Sequence, residues 1–112
     1  MNHRELGDVG AVREVGYGAW QLGSDWGEVT EGEAVAAVEA ARDAGIDFFD
    51  TADVYGDGRS ERIVGDTLAD EIERGDVTVA TKAGRRLDPH EADGYDEANL
   101  RRFVDRSRET IG

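Results

Sequence analysis

Three short apolar runs begin near residues 15, 46 and 77, and a helical pattern follows each one, so the chain repeats a strand–helix unit about every 31 residues. Strands separated by helices cannot be joined by tight hairpins. They run parallel, linked by right-handed crossovers. Eight such units amount to roughly 250 residues, the size of a (β/α)₈ barrel. Three could equally begin a doubly wound sheet, and periodicity alone leaves both architectures open.

The units can be read residue by residue. "REVGYGAW" (13–20) contains a first strand, expected over Glu14–Tyr17 and closed by glycines. "TEGEAVAAVEAARDAG" (30–45) reads as a helix with Thr30 as N-cap and Glu33 as capping-box partner. Val35, Val38 and Ala41, with Ala34 and Ala37, form its apolar face, and Gly45 stops it. "IDFF" (46–49) is too apolar for a strand with one wet face and is expected to be covered on both sides. Ser60 is the expected cap of a second helix, in which Val64, Leu68 and Ile72 recur at four-residue spacing and Gly75 is the stop. "VTVAT" (77–81) is the third strand, and Asp96 caps a third helix with the stripe Leu100, Phe103, Val104 and Ile111. Ahead of these, "RELGDVGAV" with its Gly7-Asp8 turn reads as a hairpin closing the lower end of a barrel. At 112 residues this is one domain, divided into a hairpin (1–13) and βα units over 14–45, 46–75 and 76–112.

Composition narrows the class. There is no cysteine, so disulfides and thiolate metal sites are excluded, and no apolar run approaches a membrane span of about 18 residues. The first twelve residues lack the apolar core of a secretion signal, which makes a cytoplasmic protein the expectation. A net charge of -13 repels nucleic acid and anionic membranes, so neither is an expected partner. Twelve arginines accompany a single lysine. An acidic, lysine-poor chain points to a halophilic protein, with GC-rich coding as the competing explanation.

Parallel α/β folds place their sites at the C-terminal ends of the strands. Asp50 ends the second strand, Lys82 ends the third one repeat later, and Tyr55 lies in the loop after Asp50. A free phenol, with a pKa near 10, is a poor acid at neutral pH. An ammonium beside it stabilises the phenolate, and a carboxylate holds the ammonium charged and oriented. An ordinary ion pair with a packed tyrosine is the competing reading. The only lysine of an arginine-rich chain standing at a strand end favours a specific role, because arginine would serve a plain ion pair as well. Gly56 and Gly58 flank a turn without the context of a phosphate loop, and Asp50, Asp53 and Asp57 miss the calcium-loop spacing, so no metal is expected.

"DTADVYGDGRSE" (50–61) followed by "VATKAG" (79–84) resembles the aldo-keto reductases, NADP(H)-dependent oxidoreductases on a (β/α)₈ barrel. "RELGDVGAVREVGYGAWQLG" (4–23) is similar to their hairpin and first strand, and "AARDAGIDFFDTA" (40–52) to their first helix and second strand. "ANLRRFVDRSRETIG" (98–112) resembles their third helix, with Glu109 at a position commonly hydrophobic. The resemblance implies that Tyr55 is the general acid toward a small carbonyl substrate, Lys82 its activator and Asp50 the partner of Lys82. It implies a cofactor, NADP(H) with NAD(H) also open, near Gly18, Ala19, Trp20 and Asp50, and a pocket walled by Trp20 and Trp26. The family's site also has a histidine at the end of a fourth strand, which neither His3 nor His90 matches. The chain is therefore expected to be the N-terminal piece of an incomplete barrel, three units of eight, with little or no turnover alone. The alternative is a non-catalytic auxiliary or interaction subunit of the same fold. Substrate identity and oligomeric state are left open.

Overall fold

The computed structural model describes residues 1–23 and 29–112. β1 (His3–Glu5) and β2 (Ala11–Arg13) pair antiparallel across a short 3-10 turn at Gly7–Val9. β3 (Tyr17–Gly18), β4 (Phe48–Asp50) and β5 (Thr78–Ala80) form a separate parallel sheet in that order. Tyr17 pairs with Phe49 and Phe49 with Val79; Gly18, Asp50 and Ala80 form the next row. The sheet is open and does not close into a barrel.

The first strand is shorter and later than the apolar run suggests. The Glu14 N–H donates to the Asn2 carbonyl at 2.9 Å, so residue 14 extends the hairpin. Val15 is exposed, and Gly16 packs on Phe48, where a Cβ would lie 3.1 Å from the ring. Only Tyr17 and Gly18 remain to join the parallel ladder.

α1 (Glu31–Asp43) begins where Thr30 Oγ1 accepts the Glu33 N–H at 3.1 Å. It ends in a Schellman arrangement: Gly45, at φ +95°, donates to the Arg42 carbonyl while Ile46 donates to that of Ala41. Gly75 closes α3 in the same way, with Gly75 bonding the Ile72 carbonyl and Asp76 that of Glu71. The second helix departs from expectation at both ends. It is split at Leu68 into α2 (Arg59–Thr67) and α3 (Ala69–Arg74), and its N-cap is Gly58, with no side-chain cap. Ser60 is instead the second helical residue and is fully buried.

α4 (Glu97–Ile111) is capped by Asp96, whose Oδ1 accepts the Asn99 N–H at 2.7 Å. Its buried line runs through Phe103 and Ser107 toward Ile111, whereas Leu100 and Val104 are exposed. The contact with α2 selects that line, because Gly65 admits the backbone of Ile111. The core gathers Leu22, Val38, Phe49, Ile63, Val64 and Leu68, with the Tyr17 ring 5.8 Å from that of Phe49. Each large side chain buried there stabilises the fold by roughly 1.5–3 kcal/mol. Burial also raises the pKa of Tyr17 above the usual phenol value.

Candidate active site

The sheet rows dictate where the polar groups emerge. Asp50 ends β4, and the chain beyond it stays in register with the strand beside it: Thr51 N–H donates to the Ala80 carbonyl at 2.8 Å and Asp53 N–H to that of Lys82 at 3.3 Å. These bonds draw residue 82, two positions past β5, alongside residues 51–53. The Lys82 side chain then spends all three ammonium protons locally. Nζ donates to Asp50 Oδ2 at 3.0 Å, to the Thr51 carbonyl at 2.8 Å and to Tyr55 Oη at 3.4 Å. Nζ also stands 5.1 Å from the centre of the Tyr55 ring. Desolvation, the largest single influence, lowers the Lys82 pKa. The bonds to Asp50 and Tyr55 and the attraction of both groups outweigh it, and the pKa lies above the ordinary lysine value.

Tyr55 stands in a tight loop. Its N–H donates to the Ala52 carbonyl at 3.2 Å, and Gly56, Asp57 and Gly58 follow at φ +62°, +54° and +95°. A Cβ on Gly56 would lie 2.6 Å from the Gly23 carbonyl oxygen, so a side chain there would push this loop off the turn after β3. Arg86, from the loop after β5, reaches over to Asp57 at 2.6 Å.

Of the residues expected on the cofactor side, Gly18 lies in the same row as Asp50, and no other described residue comes within 4 Å of where its Cβ would project. Trp20 is 43% exposed. Ala19 is fully buried, with its N–H bonded to the Asp50 carbonyl at 2.8 Å. Trp26 lies outside the described residues. His90 is hydrogen-bonded to Tyr95 at 2.6 Å, and His3 is in β1. Among the described residues no group of three His, Asp or Glu side chains is gathered to hold a metal ion, and no helix is long and apolar enough to cross a membrane.

Sequence reasoning missed a buried polar layer beneath this rim: Thr51, Asp53, Ser60 and Glu61, all 1% exposed or less. Asp53 accepts from Arg106 of α4 at 3.2 Å, and Glu61 Oε2 accepts from the Thr81 hydroxyl at 2.9 Å. The signal available was local. Ser60 and Glu61 directly follow the Tyr55 loop, where a capping role is the simpler reading of a serine.

The sequence profile of the Aldo/keto reductase family matches residues 14–112. This chain belongs to the aldo-keto reductases. It is 42% identical over 110 residues to L-galactose dehydrogenase of Arabidopsis thaliana, covering 96% of this chain and 34% of that protein. It is also 42% identical, over 84 residues, to a probable voltage-gated potassium channel subunit beta of Oryza sativa, covering 73% of this chain and 25% of that one. Among solved structures, an aldo-keto reductase from Klebsiella pneumoniae in complex with NADP and acetate superposes with a TM-score of 0.76 at 26% identity. That superposition covers 97% of this chain and 35% of the other. The chain thus spans about a third of the length of the aldo-keto reductases it matches, whose solved structures are (β/α)₈ barrels.

Proposed function

We propose that this chain carries the proton-donor corner of an aldo-keto reductase that reduces aldehydes or ketones with NADP(H). The observation that carries the reading is the placement of one ammonium, Lys82 Nζ, within hydrogen-bond reach of both Asp50 and Tyr55. The chemistry asks Tyr55 to release its hydroxyl proton to a carbonyl oxygen, which becomes the product hydroxyl. Lys82 stabilises the phenolate left behind, and Asp50 and the Thr51 carbonyl hold Lys82 charged and in place. An arginine at position 82 would bring a planar, longer donor fork to the same acceptors.

The rim suits a nicotinamide cofactor on this side. Among the described residues Gly18 leaves open space in the row of Asp50, and the half-exposed Trp20 follows two residues later. Gly18, Trp20 and Asp50 would hold its reactive end; the side chain of Ala19, buried in the core, would not reach it. NADP(H), when bound, supplies the hydride to the carbonyl carbon. The Klebsiella relative holds NADP, which supports that cofactor over NAD(H).

The reading is tested by grafting residues 14–112 into the matching third of a full-length aldo-keto reductase and following NADPH oxidation with an aldehyde panel. Tyr55→Phe is expected to reduce kcat about 10²- to 10⁴-fold. Turnover indifferent to both Tyr55→Phe and Lys82→Met would refute it. The 112-residue chain alone is expected to show little or no turnover.

A second reading, an auxiliary subunit that binds another protein, draws on an open groove of about 770 Å³ in which Ile72, Val77, Val79 and Ile111 stand beside charged residues that include Lys82 and Arg108. The similarity to the rice channel subunit fits it as well. A stable complex with an unrelated protein on size exclusion, with no Tyr55-dependent turnover in the graft, would favour this second reading.

A further inference from the structure

Two adjacent residues in the first turn of α2 touch the C-terminal ends of all three parallel strands. Ser60 Oγ donates to the carbonyl of Ala19, the residue after β3, at 3.0 Å. That bond uses its only proton, so the 2.7 Å contact with Thr51 Oγ1 is a bond from Thr51 to Ser60, and Thr51 follows β4. Glu61 Oε2 accepts from Thr81 Oγ1, and Thr81 follows β5 and precedes Lys82. The same turn holds the tyrosine loop, because the Ser60 N–H donates to the Tyr55 carbonyl at 3.2 Å.

Glu61 is not explained by packing. A carboxylate that is 1% exposed is expensive to bury, and its Oε1 has no partner among the described residues. The helix N-terminus offsets part of the penalty, since Glu61 is the third helical residue, and among the described residues the side-chain hydrogen bond the carboxylate accepts is from Thr81.

We propose that Ser60 and Glu61 are positioning residues, which lock the three strand ends and the tyrosine loop to one helical turn and thereby set the spacing of Asp50, Tyr55 and Lys82. This rests on the proposed function above. Neither residue touches the reacting groups: Ser60 acts through Ala19, Thr51 and the Tyr55 backbone, and Glu61 acts through Thr81.

The single lysine makes the test clean, because ¹³C,¹⁵N-lysine labelling gives one lysine side-chain signal per molecule. The readouts are the titration midpoint of Lys82 and the nuclear Overhauser contact between its ε-methylene and the Tyr55 ring, both in the 112-residue chain. Thr81→Val, at an exposed position, and Glu61→Ala are expected to lower the midpoint by about 0.5 pH or more and to weaken the contact. Glu61→Gln, which keeps an acceptor for the Thr81 hydroxyl, is expected to restore most of both. Val38→Ala, a core truncation away from the rim, should lower the melting temperature and move neither readout. If Glu61→Ala fails to fold, Thr81→Val decides alone. A Lys82 signal unmoved by Thr81→Val, while Asp50→Asn and Tyr55→Phe do move it, overturns the inference and leaves the proposed function standing. A Lys82 signal unmoved by Asp50→Asn and Tyr55→Phe overturns the proposed function itself.

Discussion

Gly65 of α2 and Ile111 of α4 approach so closely that a Cβ on Gly65 would lie within van der Waals overlap of three Ile111 backbone atoms, including its carbonyl carbon at 2.9 Å. Backbone cannot swing aside as a side-chain tip can. Gly65→Ala is therefore expected to destabilise the fold by about 1–3 kcal/mol, although alanine is the better helix former. Gly32, in the first turn of α1, is the control. Among the described residues nothing lies within 4 Å of its would-be Cβ, so Gly32→Ala should stabilise by up to about 1 kcal/mol. Urea midpoints of the two variants, moving in opposite directions, are the measurement; a destabilisation of equal size at both would remove the close approach as the cause.

The helix caps offer a smaller effect with a built-in check. Thr30 and Asp96 each accept one otherwise unpaired backbone N–H, at 3.1 and 2.7 Å. Thr30→Ala and Asp96→Ala should each cost about 1 kcal/mol, and Thr30→Ser almost nothing. Ser60→Ala separates the observed arrangement from the cap reading. As a buried hydroxyl with two partners, Ser60 should cost more on removal than Thr30, about 1–3 kcal/mol, because the Ala19 carbonyl is left without its donor.

What was legible in the sequence was whatever depends on near neighbours. Thr30, Gly45, Gly75 and Asp96 punctuate helices through bonds that span three to five residues, and each does so in the structure. The encounter of Asp50 and Lys82 was legible for another reason: parallel strands in a regular repeat put their C-terminal ends on one rim. Ser60 misled because a serine ahead of an apolar run is ordinarily a cap, and only the arrival of the Ala19 carbonyl, 41 residues earlier, turns it inward. Asp53 was equally opaque, since the Arg106 that holds it lies 53 residues away on α4. Leu100 and Val104 belong to the apolar stripe yet are exposed, because a helical stripe shows which side is apolar, not which neighbour arrives to cover it.

The raised pKa of Lys82 fixes the sign of one pH effect. A lysine whose pKa is higher in the folded chain contributes stability that is fully present below the unfolded value, about 10.4, and is lost as pH rises through the folded value. The stability gap between the wild type and Lys82→Met should therefore be constant from about pH 8 to 10 and shrink above that. The side chain is 51% exposed, so the gap is small. Glu31 runs the opposite way. Its hydrogen bond from Arg62, at 2.7 Å, and the charge of that arginine lower its pKa, so its contribution is present at neutral pH and disappears as pH falls through the folded value. Urea titrations of Lys82→Met and Glu31→Gln across both limbs check the two signs; a Lys82→Met gap that closes well below pH 10 would contradict a raised Lys82 pKa.

Salt should separate the two explanations of the acidic composition. A net charge of -13 on 112 residues makes the compact state repel itself, and the repulsion acts over distances that salt screens: the Debye length falls from about 10 Å at 0.1 M to about 3 Å at 1 M. Salt also weakens ion pairs, but those at the surface, such as Arg101–Glu97 and Arg74–Asp76, have both partners more than half exposed and contribute little. Relief of repulsion should therefore win, and we expect the melting temperature to rise by several degrees between 0.1 and 2 M potassium chloride, with most of the gain below 1 M, where the Debye length changes most. A gain that continues linearly to high salt would instead indicate strengthened burial of apolar surface. A flat or falling melting temperature would rule out salt adaptation and leave the arginine-for-lysine bias to coding composition alone.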